Sequence, residues 1–122
     1  MNVLFEADPF EYRVNHKVGR CHVRVYGQGE TSFFVVCSAR HDTDAPSITN
    51  SVEYIANELR SQGHISNAVT WIEHYPEGFF GHGSEESFMV TMLEEAPSGT
   101  FRNPTWRESS RDEVVELLRD KV

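Results

Sequence analysis

Basic residues are scarce in this chain. Lys and Arg number 11 against 19 Asp and Glu, a formal net charge of −8. A surface of that sign repels phosphate backbones, which argues against nucleic acid as a partner. It suits a basic protein surface or a cation, and it also helps to keep a protein in solution. Cysteine is nearly absent: Cys21 and Cys37 are the only two and show no metal-ligand spacing. Neither a disulfide framework nor a zinc site is expected from them. No apolar run approaches the roughly 20 residues of a membrane span. Residues 1–8 lack the basic start and long apolar centre of a signal peptide. The expectation is a cytoplasmic protein whose two thiols stay reduced and buried as small apolar residues. A pairing between them stays open if the protein is exported. Repeats, low-complexity tracts and linkers are missing as well.

What the chain does have suffices for one folded unit. Its 122 residues fit a single domain that can bury a core without metal or disulfide staples. A hydrophobic share of 39% with 11% aromatic residues argues against disorder.

The pattern predicts strands over residues 10–16 and 20–26. In the second, Cys21, Val23 and Val25 alternate with His22, Arg24 and Tyr26, the period of a half-exposed strand. Gly27-Gln28-Gly29-Glu30 offers the positive φ of a tight turn. Residues 31–38 form the third strand, and Phe33-Phe34-Val35-Val36-Cys37 is apolar on both faces, as in a central covered strand. After a polar loop over 39–49, a helix is predicted over 50–62. Val52, Ile55, Ala56 and Leu59 make its buried stripe, Asn50 with Glu53 a capping pair, and Gly63 its stop. Residues 68–75 and 87–93 are the fourth and fifth strands, with a glycine-punctuated loop over 77–84 between them. Residues 97–106 read as irregular. Ser110 to Glu113 fits a capping box, opening a helix over 111–120 with Val114, Leu117 and Leu118 on one face. The order β-β-β-α-β-β-α predicts a single α+β domain: an antiparallel-rich mixed sheet of about five strands with two helices packed on it.

The third strand, first helix and fourth strand can form a crossover unit. If those strands lie parallel, their C-terminal ends share one rim of the sheet. That rim would gather His41, Asp42, Asp44, Ser47, Thr49 and Asn50 from one loop with Glu73, His74 and Tyr75 from the other. Neighbours on a strand point to opposite faces, so one of Glu73 and His74 faces a helix-covered side and needs a partner there.

Several chemistries compete for this rim. Structural hydrogen bonding by Glu73 or His74 accounts for the residues without any activity. His41, Asp42 and Asp44 with Glu73 or His74 could take a divalent ion, although no recognised metal spacing is present. A hydrolase using His74 as base would want a nucleophile, and Ser47 or Thr49 stands in the loop without the turn motif of one. Gly81-His82-Gly83 lacks the lysine and helix of a phosphate loop, leaving a hairpin tip as the simpler reading. In that tip Phe79 and Phe80 either tuck under the loop or meet a partner.

Pro46-Ser47, Thr49-Asn50 and Glu53, together with Glu73-His74-Tyr75-Pro76 and Trp106-Arg107 before a Glu-rich helix, resemble a group of small bacterial proteins also found on mobile elements. No established activity goes with that group. The resemblance implies that the two polar segments belong together, and it assigns no catalytic role. The leading functional expectation is a non-enzymatic protein-binding or accessory domain, self-associating or held by a protein partner, with no nucleic acid, membrane or cofactor. The alternative is a small ligand-binding protein or enzyme, with or without a metal, using the shared rim.

Overall fold

A computed structural model describes residues 3–28, 32–39, 48–66, 68–76, 86–94 and 107–119. Six strands and two helices follow one another: β1 (Val3–Val14), β2 (Lys17–Gln28), β3 (Ser32–Ala39), α1 (Ile48–Ser61), β4 (Ala68–Tyr75), β5 (Ser87–Glu94), β6 (Arg107–Ser109) and α2 (Arg111–Arg119). They form one α+β domain whose strands lie in chain order, β1 to β6, across a single mixed sheet. Every neighbouring pair is antiparallel except β3 and β4, which α1 joins as a parallel crossover.

The first hairpin differs from its prediction at both ends. β1 starts at Val3, well before residue 10, and the turn falls at Asn15 and His16. Asn15 takes φ 57°, a conformation that asparagine tolerates better than most residues. Gly19 therefore lies inside β2, where it has a different task. A Cβ there would stand 2.3 Å from Tyr12 Cζ, so the missing side chain is the space the Tyr12 ring occupies. Gly27 and Gln28 extend β2 and pair with Phe33 and Ser32, so they belong to the strand and not to the turn predicted over 27–30; Gly29 and Glu30 lie outside the described residues.

The helix α1 buries Val52, Ile55, Ala56 and Leu59, the stripe its periodicity predicts. Each fully buried Val, Ile or Leu side chain contributes roughly 1.5–3 kcal/mol of transfer free energy. The helix stops at Gly63, φ 83°, with Gly63 N–H bonded to the Arg60 carbonyl and His64 N–H to the Leu59 carbonyl. That pair of bonds is a Schellman stop, which needs a left-handed residue. His64 then stacks on Phe5 at 3.6 Å between ring centroids. At the other end α1 begins at Ile48, so Asn50 lies in its first turn and is not the cap, and Glu53 lies beyond that turn.

Alternation along each strand divides the sheet into two faces. Tyr12, Cys21, Val23, Val25, Val35, Cys37, Val69, Trp71 and Tyr75 meet α1 in the larger core. On the opposite face Ile72, Phe88 and Val90 meet Val114 of α2, with Val36 and Leu117 at the margin. β6, missing from the five-strand prediction, adds three residues alongside β5. The capping box before α2 is half formed: Glu113 N–H bonds Ser110 Oγ, but the Glu113 carboxylate accepts from Ser109 Oγ. No described helix is long and apolar enough to cross a membrane.

Candidate functional site

The parallel pairing of β3 and β4 puts the C-terminal ends of both strands on one rim. Ser38 and His74, each the next-to-last residue of its strand, are direct register partners. The alignment continues sideways, because His22 of β2 pairs with Ser38, and Phe88 of β5 pairs with His74. One transverse row, His22–Ser38–His74–Phe88, thus crosses four strands on the α2 side of the sheet. Directly opposed side chains in a sheet have Cβ atoms about 4.5–5.5 Å apart, near enough to act together.

Within that row Ser38 and His74 are hydrogen-bonded. Ser38 Oγ lies 2.8 Å from His74 Nδ1, and His74 Nε2 lies 2.7 Å from Glu86 Oε2. An ionised carboxylate can only accept, so Glu86 draws the imidazole proton to Nε2. Nδ1 then accepts from the Ser38 hydroxyl, which sets a single proton direction from serine to histidine. Phe88 stacks on the His74 ring at 4.8 Å and 22°, fixing its plane. Glu86 is also approached by Arg111 Nε at 3.8 Å, from the first residue of α2. Arg111 is mostly exposed, so this contact is a weak, screened one.

A second dyad flanks the serine from the other side. Glu6 Oε2 accepts from His22 Nε2 at 2.7 Å and from Arg24 Nη2 at 2.8 Å. Arg24 Nη1 in turn donates to Tyr26 Oη at 3.2 Å. Hydrogen bonds from Arg24, then from His22, hold the Glu6 carboxyl below its ordinary range. Arg24 is held more firmly protonated, chiefly by its bond to Tyr26 and then by Glu6. With both imidazoles neutral the group is formally uncharged, two carboxylates against two guanidinium groups.

Glu73 and Tyr75 do not belong to this row. They point to the α1 side, where Glu73 is fully buried and receives a hydrogen bond from the Tyr75 hydroxyl. Strand alternation thus sends Glu73 into the core and His74 out to the rim. Cys21 and Cys37 lie on the same buried side, offset by two residues in register, since Cys21 faces Ala39 and Cys37 faces Val23. Burial first, then the neighbouring Cys21, pushes the Cys37 thiol well above its ordinary range, which makes it a poor nucleophile. Burial likewise raises the Tyr12 hydroxyl.

Of the residues the sequence pointed to, His74 stands on the rim and Glu73 and Tyr75 behind it. Thr49 and Asn50 occupy the first turn of α1, where the backbone is described and the side chains are not. His41, Asp42, Asp44 and Ser47 lie outside the described residues, as do Phe79 and Phe80. Among the described residues no three His, Cys, Asp or Glu side chains are grouped to hold a metal ion. The sequence did not single out Ser38, Glu86, His22 or Glu6. His22 carried a usable signal, its place on the polar side of an alternating strand, whereas Glu86 carried none. No protein-family model, curated protein or solved structure matches this chain.

Proposed function

We propose that the protein is a small hydrolase of carboxylic esters acting through Ser38, His74 and Glu86. The observation that supports this reading is the continuous hydrogen-bonded line from the Ser38 hydroxyl through both ring nitrogens of His74 to the Glu86 carboxylate. Both nitrogens of His74 are engaged, so a substrate meets the histidine through Ser38. Nucleophile, base and orienting carboxylate stand in the order that acyl transfer needs. Ser38 Oγ attacks the ester carbonyl while its proton passes to His74 Nδ1. The C–O bond to the leaving alcohol then breaks, and His74 returns the proton to that oxygen. Water, deprotonated by the same nitrogen, releases the acid and restores Ser38. Charge favours this class over phosphate esters, because the chain carries a formal net charge of −8.

p-Nitrophenyl acetate tests the reading. Wild type should release nitrophenol with a transient acetyl group on Ser38, visible by mass spectrometry of acid-quenched protein. Ser38→Ala and His74→Gln should each lose the protein-catalysed rate by at least a hundredfold, in keeping with removal of a nucleophile or base. Turnover unchanged in Ser38→Ala would dispose of the proposal.

A second reading rests on β1. This edge strand runs for 12 residues, has no strand on its outer side among the described residues, and leaves Val3 49% and Leu4 55% exposed. Such an edge supports strand addition by a second copy or a protein partner. Sedimentation across a concentration range separates the cases: a dimer that Leu4→Lys dissociates favours it, and a monomer throughout rejects self-association. Under either reading the protein works in the cytoplasm, where Cys21 and Cys37 stay reduced.

A further inference from the structure

We infer that His22 is a second catalytic residue, the donor that stabilises the oxyanion formed when Ser38 attacks; this rests on the hydrolase reading above. Acyl transfer places negative charge on the former carbonyl oxygen, and a rate gain requires a donor aimed at that position. His74 cannot serve, since its ring is committed to Ser38 and Glu86. His22 is the direct register partner of Ser38 on the strand opposite β4, so an acyl group on Ser38 lies between the two imidazoles. Its side chain is about one-third exposed, open enough to reach a ligand and fixed by Glu6.

The ring chemistry determines which form works. Glu6 takes the Nε2 proton at 2.7 Å, and no other hydrogen bond of the His22 ring is present among the described residues. In neutral His22, Nδ1 is therefore an acceptor, which an oxyanion would repel. Only the imidazolium presents an Nδ1–H donor, and Glu6 balances its charge. His74, by contrast, must be neutral to accept the Ser38 proton. Among the described residues, the other charged groups bonded to this row are Arg24 beside Glu6 and Arg111 beside Glu86, and arginine keeps its charge throughout the working range. Turnover then requires one histidine protonated and the other not, so its pH profile is bell-shaped. Glu6 is a positioning residue: it holds the tautomer and orientation of His22.

The experiment follows p-nitrophenyl acetate hydrolysis by the full chain against pH for wild type, His22→Gln, Glu6→Gln and Ser38→Ala. His22→Gln should lower kcat/KM about a hundredfold, the scale set by removing one oxyanion donor. It should also abolish the fall in rate on the basic side while leaving the acidic side in place. Glu6→Gln should lower kcat with little change in KM at an unchanged thermal midpoint, a split that a purely structural role for the pair would not produce. A thermal midpoint within a few degrees of wild type confirms that each variant is folded; His22→Asn serves if His22→Gln is not. If His22→Gln keeps both limbs and the wild-type rate while Ser38→Ala is inactive, the inference is wrong and the hydrolase reading stands. If Ser38→Ala is as active as wild type, both fall together.

Discussion

Replacing Tyr75 by Phe removes one oxygen atom from the interior and should destabilise the protein by about 2 kcal/mol. That oxygen donates to Glu73 Oε1, and both side chains are buried against α1 beside Trp71. A typical hydrogen bond contributes roughly 0.5–1.5 kcal/mol net, and leaving its buried partner unsatisfied costs roughly 1–3 kcal/mol. Glu73 makes a further interaction besides the one from Tyr75, which keeps the expected loss within that range. Phe fits the space Tyr leaves, so packing adds little. With a urea slope near 2 kcal/mol/M, the unfolding midpoint should fall by about 1 M. A double-mutant cycle with Glu73→Leu, which removes the acceptor, isolates the pair, and its coupling should be about 1 kcal/mol or more. A loss below about 0.5 kcal/mol, or strictly additive variants, would refute the claim that this bond contributes to holding Glu73 in the interior.

Two further outcomes test other parts of the fold. Gly19→Ala should cost about 1–3 kcal/mol by urea unfolding, because its Cβ would overlap the buried Tyr12 ring; the penalty should largely vanish in a Tyr12→Leu background, and a harmless Gly19→Ala would mean the ring has room to move. Glu6 supplies a pH test: its folded-state pKa is lowered by Arg24 and His22, so its stabilisation is present above the ordinary glutamate range near 4.3 and is lost as pH falls through the lowered value. Urea midpoints measured from pH 6 to pH 3 should therefore show the gap between wild type and Glu6→Gln closing on the acid side; a constant gap would show that the carboxylate gains nothing from its partners.

Local pattern and long-range pairing contributed different things to this protein. Periodicity was enough to place α1 and its Val52–Ile55–Ala56–Leu59 stripe, and to delimit β4 at residues 68–75, because those signals repeat several times within one element. Alternation also required Glu73 and His74 to part company across the sheet, and they do. The parallel arrangement of β3 and β4 entered only as a condition of the crossover, with the C-terminal ends of both strands on one rim. The three residues of β6 were too few to show a period, and residues 3–9 of β1 alternate poorly around the register shift between Ala7 and Phe10. The half-formed cap of α2 was hidden for a related reason: Glu113 had two serines within reach, and only the fold chose Ser109.

The candidate site lay furthest beyond the sequence. Its members, Glu6, His22, Ser38, His74 and Glu86, come from four strands and the approach to a fifth. The sequence fixes which face each strand residue takes, since the side-chain period is two. It does not fix which residues stand level across neighbouring strands, because register is set by how the whole sheet packs against α1 and α2. A slip of one residue between β3 and β4 would have left Ser38 facing away from His74, with every local signal in the sequence unchanged.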